Sequence, residues 1–274
     1  MRIAITGANG RVGMGVTAAA LAAGHEVVAI DRAPAAAPHP GRRDINADMA
    51  DYDGLLKAFD GCDGLIHLAA IPNPLRDPDH IVHNNNVVGS YNAMRAAIEC
   101  GITRLCQASS ANAIGLSFSR ATQFDYFPID EKHPPYFDDS YALSKWIGEV
   151  QAETLAHHFD AVRIASMRFH LVIESREAAQ ATLAHAAANR ATELYGYTRL
   201  DAAADACLKS LTADFTGHQV FYIVAPDTIL DEPSLNIARR LHPDVAIRKP
   251  LPGNASFFDS SKAERLLGWL HPRG

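Results

Sequence analysis

Residues 2–23 read RIAITGANGRVGMGVTAAALAA, and this stretch decides the fold. Ile3, Ala4 and Ile5 form the short apolar run of a strand buried on both faces, and Thr6-Gly7 ends it. Gly7, Gly10 and Gly13 follow at intervals of three. Without Cβ atoms there, the main chain bends sharply, approaches a pyrophosphate and packs a helix closely on its strand. The alanine-rich residues 18–23 favour that helix. Its unpaired N–H groups and positive dipole end favour an anion, so the stretch reads as the phosphate turn of a dinucleotide-binding βα unit.

A second apolar run, residues 26–30, ends in Asp31, about twenty residues beyond the turn, where a carboxylate accepts the ribose hydroxyls of NAD. Arg32 beside it is suited to a 2′-phosphate, but Asp31 repels that group, so NAD is expected over NADP. Asn9 stands where the middle glycine of G-x-G-x-x-G would be, giving T-G-x-x-G-x-x-G. This variant resembles the short-chain dehydrogenase/reductase superfamily, in particular its extended, epimerase/dehydratase-like branch. The resemblance implies cofactor contacts from Gly7, Asn9, Gly10, Arg11, Val12 and Gly13 in the turn and from Asp31 and Arg32 after the second strand. Asp48 and Met49, then Leu68, Ala69 and Ala70, follow at later strand ends, with Asn86 completing the set before the catalytic segment.

The chain has 274 residues, 48% hydrophobic and 20% charged, the balance of a globular protein with a large core. A net charge of −6, with Arg42-Arg43 as a small basic doublet, argues against a nucleic-acid partner. The most apolar stretch, residues 16–30, is interrupted by Gly24-His25-Glu26 short of a membrane-spanning length, and a strand at residue 2 leaves no room for a signal peptide, so a cytoplasmic location is expected. Cys62, Cys100, Cys106 and Cys207 lack C-x-x-C spacing and read as small buried thiols. The thirteen histidines are scattered, and neither His80/His83 nor His157-His158 has carboxylates at ligand spacing, so no metal is expected.

Residues 33–41 carry three prolines and read as a surface loop. A short strand is expected at 43–47 and a helix at 51–59, with two readings for Asp48: helix capping, or, by the resemblance, a contact to the adenine amino group. Residues 64–70 read as a further buried strand in which His67 is a core histidine, and the proline-rich residues 71–78 as a rigid loop beside the ligand. Residues 79–100 have a helical period, with Ile81, Val88, Tyr91, Met94 and Ile98 near one stripe and Asn84-Asn85-Asn86 interrupting it. A strand at 103–108 ends in Ser109-Ser110. This alternation predicts an α/β, Rossmann-like doubly wound parallel sheet over residues 1–168. Residues 169–274 are expected to form a smaller substrate-side lobe interleaved with it, with helices near 176–189 and 201–211, a strand at 218–224 and a final short helix.

Tyr141 and Lys145 lie four residues apart in a helical run opened by Asp138-Asp139-Ser140, which puts both on one helix face. There an ammonium favours phenolate and is expected to draw the tyrosine below its ordinary value of about 10, making a general base. Phosphate turn, acidic residue, strand-ending serine and Tyr-x-x-x-Lys occur in the order of the extended short-chain dehydrogenases. By that resemblance the catalytic group is Ser110, Tyr141 and Lys145, with Ser109 the other candidate for the serine, and Tyr141 and Lys145 also contact the cofactor, Lys145 through a ribose hydroxyl.

The epimerases of that branch carry Arg-x-x-Asn-x-x-Gly-Pro, whereas this chain has Arg168 and then His170 in place of the Asn, with no Gly-Pro. The A-S-S-x-x-x-I-G segment and the closing F-D-x-x-K-A-x-x-L-G-W-like helix are similar to uronate dehydrogenases instead. Asn112, Arg168 and His170 are then candidate substrate contacts with Ser110 and Tyr141, though Asn112 equally suits a turn. The sequence thus points to an NAD-dependent oxidoreductase of a sugar-like or other small alcohol. A nucleotide-sugar epimerase or dehydratase with tightly held NAD, and a non-enzymatic dinucleotide sensor, are the alternatives. The resemblance also implies a homodimer through the helices near 81–98 and 141–156.

Overall fold

The computed structural model describes residues 1–33, 39–182 and 191–272. Seven parallel strands form its main sheet: β1 (Arg2–Thr6), β2 (Glu26–Asp31), β3 (Arg42–Asn46), β4 (Gly64–His67), β5 (Arg104–Ser110), β6 (Arg163–Phe169) and β7 (His218–Ile223), in the order β7-β6-β5-β4-β1-β2-β3. Strands are added outward from β1 in one direction and from β4 in the other, so the carboxyl ends of these two flank a topological switch point.

Successive residues of one strand enter opposite cores, which is why the strands read as continuous apolar runs. Ile3 and Ile5 join Val27, Ile66, Met167 and Phe221 beneath α1 (Arg11–Ala22) and the helix Leu200–Thr212. Ala4 joins Val28, Leu65, Leu105 and Ile164 beneath α2 (Tyr52–Phe59), α3 (Asp79–Glu99) and α4 (Ser140–His158). The tail after residue 168 supplies β7 to the main sheet and adds short strands, Val172–Ile173 against Thr198–Arg199, and Ala246–Ile247 against Tyr126–Phe127. A third core, with Phe127, Tyr222, Phe257 and Phe258, joins the tail to the rest.

Several expectations need correction. Helix α3 runs unbroken through Asn84-Asn85-Asn86, because the Asn86 amide finds partners outside the helix. Its buried face is a row of small residues, Gly89, Ser90, Ala93 and Ala97 with Val82 and Met94, because small side chains let α4 approach closely. Ile81, Val88 and Tyr91 of the expected apolar stripe are instead 44%, 48% and 44% exposed. The strand expected at 64–70 ends at His67. The helix Ser234–Leu241 has no counterpart among the elements expected from the sequence. Most of the proline-rich loop and the second half of the helix expected at 176–189 lie outside the described residues; the helix begins at Arg176–Ala181.

Candidate active site

Gly7 ends β1 with φ +67°, and a Cβ there would lie 2.7 Å from the Ala69 amide nitrogen. At Gly13 a Cβ would come within 2.0 Å of the Gly7 carbonyl, so this position locks α1 onto the turn. Gly10 caps α1 without a side-chain acceptor, whereas α2 and α4 are capped by Asp51 and Asp139. The first-turn amides of α1 are thus left to an anion.

Above this turn opens a cleft of about 270 Å³ lined by Gly7, Asn9, Gly10, Asp31, Arg32 and Ala33 on one wall, and by Ala47, Asp48, Met49, Leu68, Ala69, Ala70 and Asn85 on the other. At its rim the Asp31 carboxylate accepts the backbone N–H groups of Asn9 and Ala33, each at 2.9 Å, which fixes its orientation. Asp48 accepts the Ala50 N–H at 2.8 Å and pairs with Arg32 at 3.4 Å, while Asp51 does the capping of α2. These residues fit a dinucleotide: bare glycine main chain suits the pyrophosphate, and a carboxylate at the rim suits ribose hydroxyls.

Six expected cofactor contacts are not among the walls of this cleft: Gly13, which sits beneath the turn, Tyr141 and Lys145, which lie further along, and Arg11, Val12 and Asn86. Arg11 reaches across to the Val172 carbonyl at 3.1 Å, and Val12 packs onto the core beneath α1. Asn86 sits deeper, accepting the Ile71 N–H and donating to the Ile71 carbonyl and the Ser144 hydroxyl at 2.8, 3.0 and 3.1 Å. Besides Ala33 and Ala47 in the cleft walls, two polar contributors escape the sequence reading. Asn85, in the cleft wall, donates to Asn86, and Arg42 of β3 reaches the Asn9 side-chain oxygen. The Asn triplet signals the first; nothing local signals the second, whose partner is thirty-three residues away.

Ser110, Tyr141 and Lys145 converge at the carboxyl ends of β4 and β5. Asp139 accepts the Ala142 N–H at 2.8 Å and starts α4 so that Tyr141 and Lys145 share its inward face. The Ser110 hydroxyl acts on the Tyr141 phenol, favouring its charged form, and accepts the Asn112 N–H at 3.1 Å. Ser109 points the other way, donating to Glu149 at 2.6 Å. Lys145 Nζ donates to the Ala108 carbonyl at 2.8 Å and lies 5.8 Å from the Tyr141 ring centre.

The electrostatics differ from the expectation. Burial pushes the Tyr141 phenol up to about 12, against the effect of the Ser110 hydroxyl and with a smaller push from Asp139. Burial also lowers Lys145 to about 8, with Glu149 opposing it. One of the three Lys145 donors is on the Ala108 carbonyl, and desolvation decides the direction of the phenol's shift. His67 donates to or accepts from Thr6 Oγ1 at 2.7 Å, and burial holds it neutral, down to about 3.

The three substrate candidates after these fare differently. The Asn112 side chain closes a turn, accepting the Ser117 N–H at 2.8 Å. Arg168 is 1% exposed and bound through two nitrogens to Glu149 at 2.9 and 2.7 Å, which leaves it no face for a substrate. His170 accepts the Leu171 N–H at Nδ1, so its Nε2 donates to the Glu193 carbonyl at 2.8 Å. A larger cavity of about 390 Å³ between Pro128, Lys249, Asp259 and Trp269 shares no wall with the Tyr141 group. Among the described residues there is no cluster of three or more His, Cys, Asp or Glu side chains able to hold a metal, and no helix long and apolar enough to cross a membrane.

A glycine cradle at the switch point beside a Ser/Tyr/Lys group defines a nucleotide-dependent α/β enzyme architecture. Residues 3–214 match the profile of the NAD dependent epimerase/dehydratase family, and the chain belongs to that family. It is 37% identical over 154 residues to the L-arabinose 1-dehydrogenase (NAD(P)(+)) of Haloferax volcanii, an alignment covering 54% of this chain and 58% of that protein. It is 31% identical over 109 residues to the uronate dehydrogenase of Agrobacterium fabrum, covering 38% and 37%. In fold it is similar along its whole length to a mutated uronate dehydrogenase (TM-score 0.71, 23% identity, 82% of that chain). The same holds for MoeE5 in complex with UDP-glucuronic acid and NAD (TM-score 0.74, 20% identity, 95% of that chain).

Proposed function

We propose that this chain oxidises a free sugar or sugar acid with NAD, using Tyr141 as general base. The observation that carries the reading is the shared helix face of Tyr141 and Lys145, with Ser110 acting on the phenol and Lys145 lining a pocket that shares Ala69 and Ala70 with the glycine cleft. Tyr141 takes the proton of the substrate hydroxyl, Ser110 donates to the same oxygen, and Lys145 orients Tyr141 and meets the cofactor ribose. When bound, NAD supplies the acceptor for the hydride leaving the carbon. Gly7, Gly10 and the first turn of α1 would hold its pyrophosphate, and Asp31 its adenosine ribose. Residues 1–168 then carry the cofactor and the Ser/Tyr/Lys group, and residues 169–274 the substrate-side lobe.

The two dehydrogenase relatives named for free sugars support this substrate class. So does the engagement of three of the tail's cations, of the kind an epimerase would need for a diphosphate. Arg240 is paired with Glu232 at 2.6 Å, Lys249 with Asp259, and Arg248 lies over the Tyr126 ring at 3.5 Å. We further assign the protein to the cytoplasm and to a homodimer joined through α3 and α4, where Ile81, Val88, Tyr91 and Val150 form exposed apolar surface. The test is a panel of aldoses, uronic acids and UDP-hexoses incubated with NAD. A free sugar should yield stoichiometric NADH absorbance at about 340 nm, a property of the cofactor. Interconversion of UDP-hexoses without added NAD or accumulated NADH would replace this reading with the epimerase one.

A further inference from the structure

Behind the reacting group lies a buried charge pair that the reaction itself does not use. Glu149 and Arg168 are 5% and 1% exposed and joined by two hydrogen bonds. Glu149 is the second turn of α4 beyond Tyr141 and the first beyond Lys145, so the three share one helix face. The same carboxylate accepts the Ser109 hydroxyl at 2.6 Å, and Ser109 is the residue next to Ser110 at the end of β5. Arg168 in turn comes from β6 and donates to the Tyr222 hydroxyl of β7 at 3.3 Å. One carboxylate therefore ties the helix that carries Tyr141 and Lys145 to the strand that carries Ser110.

We propose that Glu149 is a positioning residue of this site: clamped by Arg168, it fixes the end of β5 that presents Ser110 and sets a negative charge one turn beyond Lys145. The proposal rests on the dehydrogenase reading above for its kinetic consequences but not for its electrostatic one. A buried pair of this kind adds little net stability compared with apolar side chains of the same volume, so its presence here calls for another use. Around Lys145 the titratable groups are Tyr141 and Glu149 on α4 and His67 on β4, and His67 is neutral. Glu149 is thus the group that opposes the loss of the Lys145 proton to burial. Glu149 itself faces Arg168, His218 and Tyr222 of the sheet and Lys262 of the last helix, Ser261–Leu267.

Two variants separate the hydrogen bond from the charge. Glu149→Gln with Arg168→Met keeps an acceptor for Ser109, removes both charges together and so avoids stranding a lone buried ion. Ser109→Ala keeps the charges and removes the hydroxyl. The first readout is the titration of the six lysine side chains by carbon-13 NMR, with the Lys145 signal assigned by its loss in Lys145→Arg. In the double variant the proton affinity of Lys145 should fall about tenfold, one pH unit. In Ser109→Ala it should not move. The second is the pH profile of NADH formation. The alkaline limb of kcat should shift down by the same amount in the double variant, with the sugar KM within about threefold, whereas Ser109→Ala should lower kcat about tenfold with its profile unshifted. Lower melting temperature with an unmoved Lys145 titration would overturn the proposal, leaving the pair a purely structural one. If the double variant does not fold, Glu149→Asp, which withdraws the charge by one methylene, is read in the same way. Absence of wild-type turnover on every free sugar would refute the dehydrogenase reading alone, since the lysine titration still decides the role of Glu149.

Discussion

Tyr141 keeps its proton tightly, and that fixes what its removal should do. With the phenol held up to about 12 by burial, the reaction depends on a group that parts with its proton only once its surroundings are complete. Tyr141→Phe removes the hydroxyl and little else, because the ring stays packed edge-on against Phe118 at 5.7 Å. Turnover should fall at least about a hundredfold while NADH affinity, read by fluorescence quenching, stays within about threefold. A variant with near wild-type turnover would remove Tyr141 from the reaction. Asp31 argues differently, because both its oxygens are already engaged by the amides of Asn9 and Ala33. Asp31→Ala strips those amides of their acceptor and deletes the charge that repels a 2′-phosphate. NAD should bind about tenfold more weakly and the preference over NADP should narrow or reverse, measured as the ratio of kcat/KM values. Unchanged selectivity would move the determinant to Arg32, whose ion pair with Asp48 is 66% and 48% exposed and free to rearrange.

At the scale of elements, the contact of α1 with its own turn is the most exacting among the described residues. The Cβ of alanine at Gly13 would fall 2.0 Å from the Gly7 carbonyl, so α1 must lift away from β1 to accept it. Gly13→Ala should lower the melting temperature by several degrees and abolish measurable NAD binding, whereas a Cβ at the exposed Gly24 would meet nothing within 4 Å and so makes no such clash. These βα and helix-face features were legible in the sequence because each is written within one or two turns of chain: the glycine spacing, the acid after the second strand, and the four-residue step from Tyr141 to Lys145. The face of α3 was not. Ile81, Val88 and Tyr91 point outward while the small residues join Val82 and Met94 inside, a choice made by the approach of α4 and by hydrogen bonds such as Ser90 to Gln151, sixty-one residues away. The partner of Arg168 and the elevated phenol were hidden for the same reason, since burial and long-range pairing set both. The outward residues of α3 carry their own prediction: Val88→Glu, together with Val150→Glu, should convert the proposed dimer to a monomer by light scattering at micromolar concentration. A wild-type protein already monomeric there would refute the dimer.

For the molecule as a whole, the neutral histidines in its interior set how it responds to acid. Burial is the first cause that lowers His67, His133, His218, His242 and His271 below the ordinary histidine value, and His67 falls furthest, to about 3. In the unfolded chain each regains a value near 6.5, so between that pH and its folded value the unfolded state binds the extra proton. The stability that depends on neutral histidine is therefore complete above about pH 6.5 and is lost progressively as the pH falls below it. The raised carboxyl groups of Glu131 and Asp139 act in the opposite sense, since their folded forms hold protons more tightly; both start from the ordinary carboxyl range, below the first part of the histidine window. Between pH 6.5 and 5 the histidine effect should dominate. For His67 alone, one and a half pH units below 6.5 correspond to about 2 kcal/mol. His67→Asn keeps a polar atom near the Thr6 hydroxyl and removes the titration. Urea unfolding at pH 7.5 and pH 5 should show the wild type losing more stability on acidification than the variant, by about 2 kcal/mol. Parallel losses in the two proteins would mean that His67 is protonated in the folded state well above pH 3, and that the pocket beside Lys145 is wetter than its burial implies.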